Sequence, residues 1–177
     1  MANLEGSGKR STMVTGMFRD RDSAERAYQS MSARGYSERD LNLAMSDDTR
    51  KKYFADGTTE LGNKATEGAG VGGAIGATVG AIAAAIAAVG TSLVIPGLGI
   101  VIAGPAVAAL AGAGAGGVTG GLIGALVGWG MPEERVKHYE AGIKSGGIVM
   151  GVTPRSEEDA EYLEREWKNH RGEHVYR

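Results

Sequence analysis

The sequence predicts an α+β protein: a ferredoxin-like domain made from two βαβ-type halves, split by a long Gly/Ala-rich apolar helical hairpin. Three observations lead to this prediction. All 19 Lys and Arg residues and all 21 Asp and Glu residues lie outside residues 68–132, so one uncharged segment interrupts a charged chain. The charged parts on either side share a strand, helix, strand pattern. Two prolines with neighbouring glycines, between residues 96 and 105, interrupt the middle of the segment and divide it into two arms.

These boundaries organise the chain into four parts. We expect residues 1–10 to form a flexible tail and residues 11–67 to hold the first half of the domain plus a connector. Residues 68–131 form the apolar hairpin, and residues 132–177 form the second half. The chain has no Cys, which fits a reducing compartment, and no secretory signal is evident at its amino terminus. A net charge of -2 without a basic stripe argues against nucleic acid as a partner.

The first half begins with an apolar run at residues 13–18, MVTGMF, which predicts a strand. Asp22 and Glu25 have capping-box spacing, so we expect the following helix to begin there and to end at Gly35. Residues 41–45, LNLAM, alternate as a second strand. The polar stretch after them is a connector or a brief helix.

The second half repeats this pattern. Pro132 stands at a plausible first helical position, and the helix ends near Gly146. Ile148–Val152 predicts a strand, Ser156 and Asp159 form a capping-box spacing for the last helix, and the terminal HVYR is a candidate edge strand. Packing the strands of both halves into one sheet, with helices on one face, gives the ferredoxin-like arrangement.

The uncharged segment is predicted to form two helices, from about residue 68 to 94 and from about residue 106 to 129. Glycine recurs every four residues from 68 to 80 in the first helix, where Ala84 and Ala88 continue the spacing, and from 112 to 128 in the second. Gly costs about 1 kcal/mol relative to Ala inside a helix, so this pattern indicates close helix packing, and we expect a homo-oligomer. The predicted packing glycines are Gly68, Gly72, Gly76, Gly80, Gly112, Gly116, Gly120, Gly124 and Gly128. The predicted apolar ridge is Val71, Ile75, Val79, Ile82, Ile86, Val89 and Leu93. The predicted hairpin turn contains Pro96, Gly97, Gly99 and Pro105.

The surroundings of this hairpin are open at the sequence level. Its length suits two membrane spans of about 20 residues each, but the ridge supplies only roughly -2 to -4 kcal/mol of insertion free energy. One alternative is a hairpin in or on the inner membrane with the charged domain on the cytoplasmic side. The second is a soluble cytoplasmic assembly whose apolar interior holds lipid-like cargo. The third is a partly ordered low-complexity stretch.

No catalytic, cofactor or metal site is predicted. His170 and His174 are four residues apart, but a third ligand is lacking and a solvated pair is the expected state. His138 is expected to be a packing or surface residue, and Trp129 either an interfacial anchor or a packing residue. The glycine-rich stretches lack the GK[ST] ending of a phosphate loop. We therefore expect a protein that is not an enzyme.

Three stretches carry a family resemblance. The sequence VTGMF with the following RDRDSAERAY, and later YEAGIKSGGIVMGV, resembles the bacterial general stress protein 17M-like, or heat-induced stress protein, family. The resemblance covers almost the whole chain after the tail. It implies a stress-responsive, non-enzymatic protein, and many relatives look similar in carrying a Gly-rich apolar middle. It transfers no catalytic residues to this chain.

Overall fold

The computed structural model describes residues 13–54, 82, 92–95, 99–105, 107 and 121–177. Over these residues the protein is α+β, as predicted, and is built on one six-stranded sheet. In chain order the elements are β1 (Val14–Phe18), α1 (Arg21–Ala33), a 3-10 turn (Glu38–Asp40), β2 (Leu41–Ser46), α2 (Asp47–Phe54), β3 (Ser92–Ile95), β4 (Ile100–Ala103), α3 (Gly121–Gly128), α4 (Glu133–Lys144), β5 (Ile148–Val152), α5 (Glu157–Asn169) and β6 (Glu173–Tyr176).

The sheet interleaves the two charged parts of the chain. Its strand order is β3-β4-β2-β5-β1-β6, and every neighbouring pair is antiparallel. Strand β5 lies between β1 and β2, so that Met150 pairs with Gly16 on one side and with Leu43 on the other. Neither half can therefore complete the centre of the sheet without the other.

Helices cover both faces of the sheet, so the expectation of helices on one face is wrong. On the first face Phe18, Met150 and Trp167 belong to one buried cluster, to which α1 and α5 contribute. On the second face Met17 and Val149 belong to another, to which α3 and α4 contribute. The sequence of β2 reads as a half-exposed strand because of its Asn and Ser, but five of its six residues are buried. The additional layer explains this burial, since a strand with both faces covered has no solvent side.

Side-chain caps define two of the helix starts. Asp20 caps α1, and its Oδ1 accepts a hydrogen bond from the Ser23 amide at 2.8 Å, so the cap lies two residues before the predicted Asp22. Ser156 caps α5 as predicted, with its Oγ accepting from the Asp159 amide at 3.1 Å. Of the two structures expected for the first connector, its opening residues form the brief helix, α2. The terminal edge strand is confirmed as β6.

The described residues do not show the predicted helical hairpin. Residues 92–95 and 100–103, assigned to the end of the first arm and to the turn, are instead the antiparallel strands β3 and β4. Their β-branched residues favour strands, and a short apolar run bounded by Gly and Pro fits a buried strand as well as a helix. Helix α3 lies within the predicted second arm. Among the described residues, no helix combines the length and the apolar character that crossing a membrane requires.

Candidate functional site

The candidate site predicted from the sequence is the uncharged segment. The central part of this segment forms strands of the sheet. Strand β4 pairs with β2 from Leu43 opposite Ala103 to Ser46 opposite Ile100. All four β4 side chains are buried, with Ile102 fully enclosed. The middle of the segment is thus part of the domain's hydrophobic core.

Backbone contacts fasten both ends of β4. Before the strand, the Gly99 carbonyl accepts a hydrogen bond of 2.6 Å from the Asp47 amide at the start of α2. After the strand, Gly104 lies against the backbone of β2 with a φ of +117°. A Cβ on Gly104 would approach Asn42 Cα to 2.7 Å and the Leu41 carbonyl oxygen more closely still. Only glycine adopts this positive φ without strain and leaves room for the backbone of β2.

A second contact joins the first arm of the segment to α1. Ile82 is fully buried in the cluster beneath α1, and its amide donates to Glu25 Oε2 at 3.4 Å. Glu25 is itself only 5% exposed, and Arg21 Nε lies 3.7 Å from its Oε1. Burial raises the pKa of the Glu25 carboxyl, and the Ile82 amide and Arg21 oppose that shift only in part. A buried carboxyl with a raised pKa therefore lies where the segment meets the helix.

The end of the segment forms part of the second helical layer. Leu126 in α3 and Trp129 just after it are buried with Ile102 of β4 and Val107. Of the two roles expected for Trp129, interfacial anchor or packing residue, the described residues therefore show packing. Helix α4 continues this layer, and its Tyr139 hydroxyl donates to the His174 carbonyl at 2.6 Å. Its burial raises the pKa of this phenol well above the ordinary value.

The structure describes only part of the predicted site. The predicted residues for which it gives a position are Ile82, Leu93, Gly99, Pro105, Gly124 and Gly128. Leu93 belongs to strand β3, so its assignment to a helical ridge is wrong, whereas Gly124 and Gly128 lie in α3 as expected. The predicted positions that lie outside the described residues are Gly68, Val71, Gly72, Ile75, Gly76, Val79, Gly80, Ile86, Val89, Pro96, Gly97, Gly112, Gly116 and Gly120.

The histidines form a contact that the sequence spacing did not indicate. His174 stacks on His138, with ring centroids 4.8 Å apart and an interplanar angle of 17°. Both rings are exposed, and among the described residues no group of three or more His, Cys, Asp or Glu side chains is arranged to hold a metal. His170 caps the end of α5. The stack brings together a helix and an edge strand, so no local spacing could have predicted it.

Comparison with known proteins adds no assignment. No family model, no curated protein and no solved structure matches the chain. The resemblance to the general stress protein 17M-like family therefore stays a prediction from the quoted stretches of sequence.

Proposed function

We propose that this chain is a non-enzymatic, bacterial stress-response structural protein that self-assembles through its uncharged segment, with the charged α+β domain facing water. The observation that carries the proposal is the contrast in composition between the uncharged segment and the charged remainder of the chain. Residues 68–132 hold no charge and repeat glycine every four residues, while every charged side chain lies elsewhere. Small-residue faces let apolar segments approach one another closely. The family resemblance supports the stress-response part.

We further propose that the domain is ferredoxin-like at its centre. Omitting β3 and β4 leaves the order β2-β5-β1-β6, in which the strands of two strand, helix, strand units alternate. Helices α1 and α5 contribute to one cluster on one face. In this proposal the strands β3 and β4 extend that sheet at its β2 edge, and α3 and α4 form an added layer.

The anchoring of β4 favours a shared apolar interior among copies over a hairpin inserted in a membrane. In a membrane hairpin the midpoint of the segment would lie far from the charged domain. Here the midpoint is paired with β2, and Ile82 of the first arm is buried in the core of the domain. The described parts of the segment thus lie against the domain, which suits packing of neighbouring copies around it. A lipid-like molecule is the class of cargo that such an interior would hold.

The decisive experiment measures the mass of the purified full chain without detergent, by light scattering and analytical ultracentrifugation. We expect a discrete particle many times the monomer mass of 18.2 kDa. A lone monomer would overturn self-assembly. Recovery in the membrane fraction with resistance to alkaline extraction would replace the shared interior by the membrane form.

Two neighbouring glycines provide a matched pair of variants. Gly116 belongs to the series of packing glycines spaced four residues apart, called here the glycine ladder, whereas the next residue, Gly117, does not. If the ladder is the packing face, Gly116→Leu dissociates the particle and Gly117→Leu leaves its mass unchanged. Equal effects of the two variants would contradict the ladder as the assembly face. Protein levels before and after heat shock test the stress-response part separately.

A further inference from the structure

A cleft opens at one end of the sheet, lined mainly by residues of the charged domain, with Gly99 and Ile100 of the uncharged segment on one side. Its volume is about 520 Å³. Four connections meet around it: the residue after β1, the junction of β2 with α2, the turn before β4, and the turn between α4 and β5. Sites for small molecules have volumes of about 300 to 1,000 Å³. The cleft therefore has room for a small organic ligand.

The charged residues of the cleft are mainly cations. Arg19, Lys52 and Lys144 line it, and Asp48 is the one carboxylate among the described lining residues. Three cations against one carboxylate in the lining favour an anionic ligand, and a phosphate ester, with a charge of about -1.5 to -2 at pH 7, is such a group.

Two of these cations are held in place by glutamates that do not line the cleft. Arg19 donates from Nε to Glu173 Oε2 at 2.9 Å and from Nη1 to Ser145 Oγ at 3.0 Å. Lys144 Nζ donates to Glu140 at 2.7 Å, one helical turn earlier. Each glutamate orients a cation whose remaining N–H groups can bind an anion.

The third cation is differently placed. Lys52 Nζ lies 4.9 Å from the centre of the Tyr53 ring, and within the described residues it has no carboxylate partner. A cation without a carboxylate partner keeps its full charge for a ligand. Among the described lining residues it is the cation that no carboxylate neutralises.

The rest of the wall combines hydroxyl groups with apolar surface. Ser46 and Thr49 hydrogen-bond to each other through their hydroxyls at 2.8 Å. Ile100 and Ile143 are buried behind them, and the Tyr53 ring is half-buried at the rim. Hydroxyls and cations suit phosphate oxygens, while the aromatic ring and the isoleucines suit a carbon skeleton.

We propose that this cleft binds a small phosphorylated organic compound. Its phosphate lies between Arg19, Lys52 and Lys144, and its organic part lies against Tyr53 and the isoleucines. The inference goes beyond the proposed function, because it gives the charged domain a ligand of its own. It does not depend on self-assembly.

The test is calorimetric titration of the full chain with phenyl phosphate, and with inorganic phosphate for comparison. We expect saturable binding, tighter for phenyl phosphate. Replacing Lys52 or Lys144 by Gln should weaken it about tenfold, the effect of one charge-assisted hydrogen bond. Lys137→Gln is the matched control, because Lys137 is on the same helix, is 64% exposed against 66% for Lys144, and also pairs with a glutamate four residues earlier.

Each outcome decides the proposal. Binding that K144Q and K52Q weaken while K137Q leaves it unchanged supports the cleft. No saturable binding, or equal weakening by K137Q, overturns it in favour of non-specific attraction to surface charge. Inorganic phosphate binding as tightly as phenyl phosphate overturns the organic part of the proposal. Unfolding midpoints of the three variants, which we expect to equal that of the wild type, exclude a loss of fold as the cause.

Discussion

Replacing Gly104 by Ala is expected to loosen the attachment of the uncharged segment to the sheet, whereas the same replacement at Gly99 is not. The two glycines flank β4, and both have positive φ, +117° for Gly104 and +60° for Gly99. A Cβ on Gly99 would meet no atom within 4 Å. A Cβ on Gly104 would press on the backbone of β2, which cannot rotate away. Comparing the two variants thus separates the cost of the positive φ from the cost of the steric contact.

The magnitudes follow from these two terms. For Gly99→Ala only the left-handed conformation opposes the methyl group, which costs about 1 to 2 kcal/mol. For Gly104→Ala the conformation costs about 1 to 3 kcal/mol and the overpacking a similar amount, together about 4 kcal/mol. Burying Ile100 and Ile102 contributes about 1.5 to 3 kcal/mol each. The cost at Gly104 is therefore comparable with the free energy that holds β4 in place.

Amide hydrogen exchange in β2 is the direct assay, and urea unfolding gives the total stability. In the Gly104→Ala variant we expect faster exchange at the amides of β2 that face β4, together with a loss of about 4 kcal/mol or release of β4 from the sheet. Gly99→Ala should leave the exchange in β2 near that of the wild type. If both variants lose the same stability and show the same exchange, the close approach at Gly104 does not fasten the segment, and the reasoning is refuted.

Three further changes probe the core and the contact with α1. Trp167→Phe should lower the free energy of unfolding by about 2 to 3 kcal/mol in urea, because the fully buried indole N–H donates to the Ala27 carbonyl at 3.2 Å and the smaller ring leaves a cavity. Tyr139→Phe should cost about 1 to 2 kcal/mol and speed amide exchange in β6, because it removes the hydrogen bond to the His174 carbonyl. Glu25→Gln should flatten the dependence of stability on pH. Burial raises the pKa of Glu25 above its ordinary value of 4.5, so the folded state binds this proton more tightly than the unfolded state. The wild type should therefore lose stability as the pH rises from about 4.5 through the raised pKa, while the variant should not, which urea unfolding from acid to neutral pH would measure. Parallel pH profiles would contradict this role of the carboxyl.

Local patterns were sufficient for the charged parts of the chain. An apolar run predicted β1, alternation predicted β2, Ile148–Val152 was predicted as β5, and Ser156 marked the start of α5, because caps and alternation act within a few residues. The cap of α1 was placed two residues late because Asp20 and Asp22 are both capping residue types. Only the structure shows that Asp20 accepts the hydrogen bond from Ser23.

The middle of the uncharged segment was harder to predict for a physical reason. LVIPGLGIVIA contains two short apolar runs around Pro-Gly, a pattern that fits both a turn between helices and two strands. What decides between them is the free edge of β2, which accepts β4 and lies more than 50 residues away in sequence. The cleft likewise could not be predicted, because Arg19, Lys52 and Lys144 come from three separate connections and share no spacing.

The anchoring of β4 also limits how the segment can serve assembly. A segment that hung free of the domain could leave it entirely, and the domain would then act as a passive end group. Here Ile102 fills the second core cluster and Ile82 the first, so both faces of the sheet depend on side chains from the segment. Withdrawing the segment would expose both clusters to water, at about 25 cal/mol for each Å² of apolar surface. In the proposed assembly the segment would therefore keep its domain attached and bring neighbouring domains close together.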